Sequence, residues 1–232
     1  MTLLYLLLLA HLVADFMQPA SLVRWTKESV QGLIVHTSIY SLITALVIAA
    51  YSPIWWFWAA LLGVSHFVID YHLDKGRLPF TNLSLLVVDQ VLHLLMIGAI
   101  FWSGLRFLTP IGQLTFLSDH SEVFRCLVGY VAATFGGSIF VFEAGNTFYP
   151  QLPSGGENEI LSLGDRCLGI TERALTVTFI LLGRYLLIPL AFLPSMAVRR
   201  KELRGGQRPR LLCELAISLL IALAVGFWLR FG

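Results

Sequence analysis

The chain has 232 residues, 57% of them hydrophobic and 13% charged, with a mean hydropathy of +0.78. A soluble domain carries about 25% charged residues, so this composition excludes an ordinary water-soluble globule and requires much of the surface to meet lipid. A net charge of +2 gives no electrostatic basis for a nucleic-acid partner. The three scattered cysteines, Cys126, Cys167 and Cys213, form no CxxC pair and so indicate neither a disulfide framework nor a thiolate zinc site.

The first apolar run, from about Leu3 to Met17, lacks the basic flank and small-residue cleavage site of a signal peptide. It reads as a short membrane helix carrying His11 and Asp15. Further runs follow at about Leu33 to Tyr51, Ile54 to Leu73 and Leu85 to Phe107. Most approach the ~20 residues that cross the hydrocarbon core, and they are too long for barrel strands. A fifth run, about Cys126 to Phe142, contains Gly129, Gly136 and Gly137, which suit close helix packing or a broken, re-entrant segment. A polar loop with Pro150, Pro153 and Ser154-Gly155-Gly156 precedes a sixth run, about Leu168 to Leu193. A basic linker, Arg199 to Arg210, leads to the seventh, about Leu211 to Phe231. The expected fold is an all-α membrane bundle of six or seven spans, with a four-helix region over residues 1–108 and a C-terminal region over 109–232.

Lys and Arg fall after the first and third helices, at Arg24, Lys27, Lys75 and Arg77. The positive-inside rule makes that end cytoplasmic and leaves Trp55, Trp56 and Trp58 in the opposite aromatic belt. Placing the basic linker on the cytoplasmic side as well favours six crossings, with the glycine-rich fifth segment not crossing. The linker also suits contact with anionic lipid.

Three ionisable pairs sit four residues apart inside these runs: His11 with Asp15, His66 with Asp70, and Asp89 with His93; His36 lies in the second run. Residues four apart share a helix face. Ionisable groups within a membrane are costly and normally face a partner, a cavity or an ion. Counting ~1.5 Å per residue from the same end of each helix brings all seven to a common depth, within roughly 15 Å of one interface. Imidazole and carboxylate without thiolate suit zinc first, with manganese or iron as alternatives. Seven candidate ligands exceed one tetrahedral sphere, so some orient a histidine or serve a second ion. Gln18, Thr37, Ser38, Ser65 and Gln90 lie beside them and suit a polar pocket. His72 points off this face, His120 reads as solvated, and Asp74 lies one turn beyond Asp70 at the helix end. Glu172 and Arg173 open the sixth run. They read as an interfacial pair or, for Arg173, as a contact to an anionic substrate or headgroup.

HLVADFMQ, RWTKES, His36, HFVID and DQVLH, in this order and spacing, resemble the bacterial membrane family catalogued as domain-of-unknown-function 3307. GITERALTVTFILLG, Gly169 to Gly183, extends the resemblance. The chain departs from that pattern in the position of Gln18 and in a lysine displaced to Lys75. The resemblance implies a bacterial cytoplasmic membrane and no defined activity. A looser likeness, in HxxxD motifs on membrane helices, to membrane-bound metal-dependent hydrolases implies metal chemistry by analogy.

The expected function is therefore metal-dependent hydrolysis of a lipid or lipid-linked substrate, with Asp70 or Asp89 as general base and with Gln18, Gln90 and Arg173 as substrate contacts. The alternatives are transport of divalent ions or protons, and a metal that only staples the bundle. A transport pathway needs polar residues at both depths, and the far halves of the first four helices offer almost none.

Overall fold

The computed structural model describes residues 1–75, 79–111, 120–149 and 163–232; Arg77, Pro150, Pro153 and Ser154-Gly155-Gly156 lie outside them, as do the side chains of Asp74 and Lys75. The described residues form helices and no strand. The chain divides into two compact units, Met1–Val128 and Gly129–Gly232.

In the first unit, α1 (Thr2–Phe16) ends where Pro19 disfavours helix in the residue before it. Pro19 then opens α2 (Ala20–Glu28), and residues Ser21–Glu28 lie at 84° to α1. This amphipathic helix, exposing Val23, Arg24, Trp25 and Lys27, was not foreseen from the sequence. Extended backbone at Ser29 separates α2 from α3 (Val30–Ala49), and the Gly32 amide donates to Ser29 Oγ to cap α3. A Cβ on Gly32 would lie 2.3 Å from the Trp25 carbonyl oxygen, so only glycine lets the two helices meet this closely. Ser52 and Pro53 turn the chain into α4 (Trp55–Lys75). Thr81, whose hydroxyl accepts from the Ser84 amide, caps α5 (Asn82–Ser103).

Helix α3 packs on α1, α2 and α4, and α5 packs on α1 and α4. The α3–α4 contact is close: a Cβ on Gly63 would lie 2.0 Å from Ser41 Oγ. Leu3, Leu7, Ile48, Leu62, Ile97, Ile100, Phe101 and Leu105 form one buried apolar cluster. The polar residues of α1, α3, α4 and α5 lie nearer the other ends of those helices.

In the chain that follows, α6 (Ser121–Val131) continues through a wider turn at Ala132–Gly136 into α7 (Gly137–Phe148). The glycine-rich fifth segment is thus one 28-residue helix, long and apolar enough to cross a membrane. Its glycines serve packing: a Cβ on Gly129 would meet Leu229, and one on Gly137 would meet the Arg173 side chain.

The sixth run is corrected by the structure. It is not a single rod: α8 (Leu163–Leu181) stops, Gly183 takes φ 69°, and α9 (Ile188–Val198) packs back along α8. Apolar composition specifies burial or lipid contact but not straightness, so a hairpin and a span look alike to it. A five-residue helix, α10 (Arg200–Arg204), then leads to α11 (Arg208–Phe231), which packs on α7 and α8 around Ala133, Val177, Ala222 and Leu229.

Among the described residues, four helical stretches are long and apolar enough to cross a membrane: Val30–Ala49, Asn82–Ser103, Ser121–Phe148 and Arg208–Phe231. The 84° pair at the N-terminus passes the same test when taken as one bent span. Helix α4 spans 21 residues, but three tryptophans, His66, Asp70 and His72 lower its hydropathy. Large apolar side chains such as Leu42, Leu46, Val64, Leu95 and Leu220 are exposed, as lipid contact requires.

Candidate metal centre

All seven residues singled out in the sequence, the three pairs and His36, converge in the first unit. Helix α1 brings His11 and Asp15, α3 brings His36, α4 brings His66 and Asp70, and α5 brings Asp89 and His93. The four histidines and Asp70 are buried, and Asp15 is nearly so.

His36 Nε2 and His66 Nε2 lie 2.9 Å apart. Asp70 Oδ2 lies 3.3 Å from the first nitrogen and 3.4 Å from the second. Asp15 Oδ1 approaches the same two atoms at 3.8 and 3.5 Å. With metal–ligand bonds of about 2.0–2.1 Å, neighbouring ligand atoms stand about 3.3 Å apart in a tetrahedron and about 2.9 Å apart in an octahedron. The observed separations bracket these values. Asp15 Oδ1 and Asp70 Oδ2 are buried and make no hydrogen bond among the described residues. Carboxylate oxygens left so in a membrane interior are costly, and a bound cation removes that cost. Three groups in the centre have ligand atoms all within 4.8 Å of one another: His11, Asp15 and His66; His36, His66 and Asp70; and Asp15, Asp89 and His93. The residues present therefore fit a metal ion.

A surrounding set of contacts orients these ligands. The Gln90 side-chain amide donates to Asp15 Oδ2 at 3.1 Å and to Asp89 Oδ2 at 3.0 Å, while its carbonyl oxygen faces His11 Nε2 at 3.2 Å. Gln90, expected to touch substrate, is thus occupied in positioning three residues of the centre. Gln18 lies with its amide 2.6 Å from His36 Nδ1. Rotated by half a turn, that amide accepts the Nδ1 proton and leaves the His36 Nε2 lone pair for a cation. His93 Nδ1 faces the Asp89 backbone carbonyl at 3.0 Å and Asp89 Oδ1 at 3.3 Å, and its Nε2 faces Asp70 Oδ1 at 3.3 Å.

The Tyr40 ring, which the sequence reading passed over, stacks on His66 with centroids 4.2 Å apart and meets His11 edge-on. Its signal was available, because Tyr40 follows His36 by four residues. Ser38 and Ser65 bond carbonyls of their own helices and do not enlarge the polar pocket. Thr37 is buried, with no hydrogen bond to its hydroxyl among the described residues. His72 and His120 are exposed, in line with their exclusion from the centre.

Arg173 does not fit the role expected of it. It lies well inside α8, is 2% exposed, and donates to Ser218 Oγ, Ser138 Oγ and the Thr134 carbonyl within the second unit. Thr134 belongs to the wide turn between α6 and α7, which directs its carbonyl toward the guanidinium. The side chain is held by its own unit and does not reach for a headgroup. The three cysteines are free.

Fold and centre together define an all-helical protein with helices fit to cross a membrane and a buried His/Asp cluster able to hold a metal ion. The chain belongs to the family described as Protein of unknown function (DUF3307), whose model matches residues 3–120. That match takes in the seven residues of the centre and ends before Gly169–Gly183. No curated protein and no solved structure matches the chain.

Proposed function

We propose that this protein is a membrane-embedded, metal-dependent hydrolase of a lipid or lipid-linked substrate, set in the cytoplasmic membrane. The observation that carries the reading is the four-atom set of His36 Nε2, His66 Nε2, Asp70 Oδ2 and Asp15 Oδ1, drawn from three helices at one depth. A divalent ion, zinc before manganese or iron, supplies a Lewis acid and a water of lowered pKa when bound there.

The chain's own groups divide the remaining work. Asp70, buried between His36, His66 and His93, holds the ion and is removed from the role of base. Asp89 is the accessible carboxylate, with its side chain 24% exposed and steadied by Gln90 and His93. It accepts the proton of the attacking water and returns it to the leaving oxygen as the scissile bond breaks. The apolar cluster behind the centre keeps water from entering along the far halves of the helices. It also argues against an ion path through the unit, and so against the transport reading.

The test is turnover of a broad lipid and lipid-linked panel by detergent-purified wild type, by chelator-treated protein and by Asp89→Asn, each with its metal content measured. Asp89→Asn is expected to retain metal and to lose at least ~100-fold in rate, the scale of general-base catalysis. A metal-replete wild type that hydrolyses nothing, but moves ions or protons into liposomes in an Asp89-dependent way, would replace the hydrolase with a transporter.

A further inference from the structure

Two buried histidine nitrogens, each facing a carboxylate oxygen, are left over by the first ion position. His11 Nε2 is engaged by the Gln90 carbonyl oxygen, which turns His11 Nδ1 inward, 3.6 Å from Asp15 Oδ2. His93 Nδ1 is engaged by Asp89, which turns His93 Nε2 inward, 3.3 Å from Asp70 Oδ1. His11 Nδ1 and His93 Nε2 are both buried and lack a well-angled hydrogen bond among the described residues. The His11 and His93 rings stack with centroids 5.0 Å apart, as the His36 and His66 rings lie 5.0 Å apart on the other side. Asp15 and Asp70 stand between the pairs. Each directs one oxygen to His36 and His66, and the other to His11 or His93.

We infer that the centre is built for two divalent ions, one on His36 and His66 and one on His11 and His93, with Asp15 and Asp70 as the carboxylates shared between them. Each position then draws on two imidazoles and two carboxylate oxygens. Gln18, Gln90 and Asp89 orient the imidazoles from outside, the usual task of groups behind a metal ligand. Two divalent ions beside Asp15, Asp70 and Asp89 leave a net positive charge, which suits a substrate whose reacting group is an anion, such as a phosphoester, and paired metals are a recurring device for in-line displacement at phosphorus. This inference rests on the metal-centre reading above and deepens it.

The experiment measures metal per chain in untagged, detergent-purified protein after zinc or manganese loading, together with electron paramagnetic resonance of the manganese form. Two equivalents are expected in wild type, one in His11→Ala, one in His36→Ala, and two in Asp89→Asn. Manganese in wild type is expected to show exchange coupling between neighbouring ions, which His11→Ala abolishes. One equivalent in wild type with an uncoupled manganese spectrum would overturn the two-ion assignment and leave the single-ion centre standing. No bound metal in folded wild type would overturn both. Should the alanine variants fail to fold, the wild-type stoichiometry and spectrum decide alone.

Discussion

Gln90 shows how much one uncharged side chain can arrange. It stands next to Asp89, so no spacing argument pairs it with α1, yet its amide links the carboxylates of Asp15 and Asp89 and its carbonyl oxygen faces His11. Truncating these contacts without removing a ligand is expected to loosen the ligands and not the fold. Gln90→Leu, close in size, is predicted to weaken metal affinity by roughly 10–100-fold, the usual cost of losing a group behind a metal ligand. Competition against a chromophoric chelator gives the affinity, and an unchanged elution volume in detergent shows the fold intact. An affinity equal to that of wild type would mean that Gln90 does not position the centre. Tyr40 is the counterpart on the apolar side: its ring limits the tilt of His66 by stacking, with no bond to it.

Among the elements, the α8–α9 hairpin separates most clearly what composition says from what the chain does. Gly183 adopts φ 69°, a left-handed conformation that costs other residues roughly 1–2 kcal/mol. Arg230, from the end of α11, donates to the Ile180 carbonyl, which also accepts from the Gly183 amide, and so adds a second hydrogen bond at the end of α8. Its guanidinium also lies over the Tyr185 ring, 5.3 Å from the centroid. A Cβ on Gly183 would stand 2.9 Å from Arg230 Nη1, so an alanine there both strains the turn and displaces the cap. Gly183→Ala is predicted to destabilise the protein by about 1–2 kcal/mol in denaturant titration in detergent. Gly98→Ala, where a Cβ meets nothing within 4 Å on a helix, serves as the control and should lose no stability. Equal midpoints for Gly183→Ala and wild type would show that the hairpin turn is not as described.

The other end of that hairpin is tied by charge. Arg199 donates to Glu202 and pairs with Glu214 at 2.8 Å, and Arg210 donates to Glu214 and to Asn146. Burial pulls the Arg199 guanidinium down, but the hydrogen bonds to Glu202 and the charge of Glu214 outweigh it and hold it above its ordinary value. These pairs gather the basic linker at the end of α7, so that Arg199 to Arg210 returns to the side where α8 begins.

For the whole molecule, that return leaves six expected crossings but changes which segments make them. The charge bias asks for an even number of crossings between Lys75 and Arg199. We expect α5 and the α6–α7 helix to supply two, with the α8–α9 hairpin adding none, so the fifth segment need not be broken. In the first unit the two connections at the metal-centre end are expected to share one side of the membrane; in the second unit Tyr149 and the linker are expected to share one side. By the positive-inside rule each of these ends is expected in the cytoplasm. Single cysteines at positions 28, 80, 149 and 206, in a background lacking Cys126, Cys167 and Cys213, are predicted to react with an impermeant thiol reagent only after the membrane is opened. Reaction of position 206 in intact cells would mean that α8 and α9 do not return the chain and that the linker is external.

Composition alone determined that lipid is part of this protein's environment, because 13% charged residues cannot clothe a soluble surface. Spacing determined six of the seven residues of the centre, since i,i+4 pairs share a helix face and a buried charge must meet a partner; His36 followed from its depth in an apolar run. A period of 3.6 residues carries that information along one helix and no further. Which helix faces which and whether the sixth run turns back were decided by close approaches between residues on different elements: Gly32 against Trp25, Gly63 against Ser41, and Arg230 against Gly183. The roles within the centre were decided in the same way. Spacing makes His11, His36, His66 and His93 equivalent. Only the fold turns two of them toward one end of Asp15 and Asp70 and two toward the other, because the direction of a ring nitrogen depends on the partner held behind it.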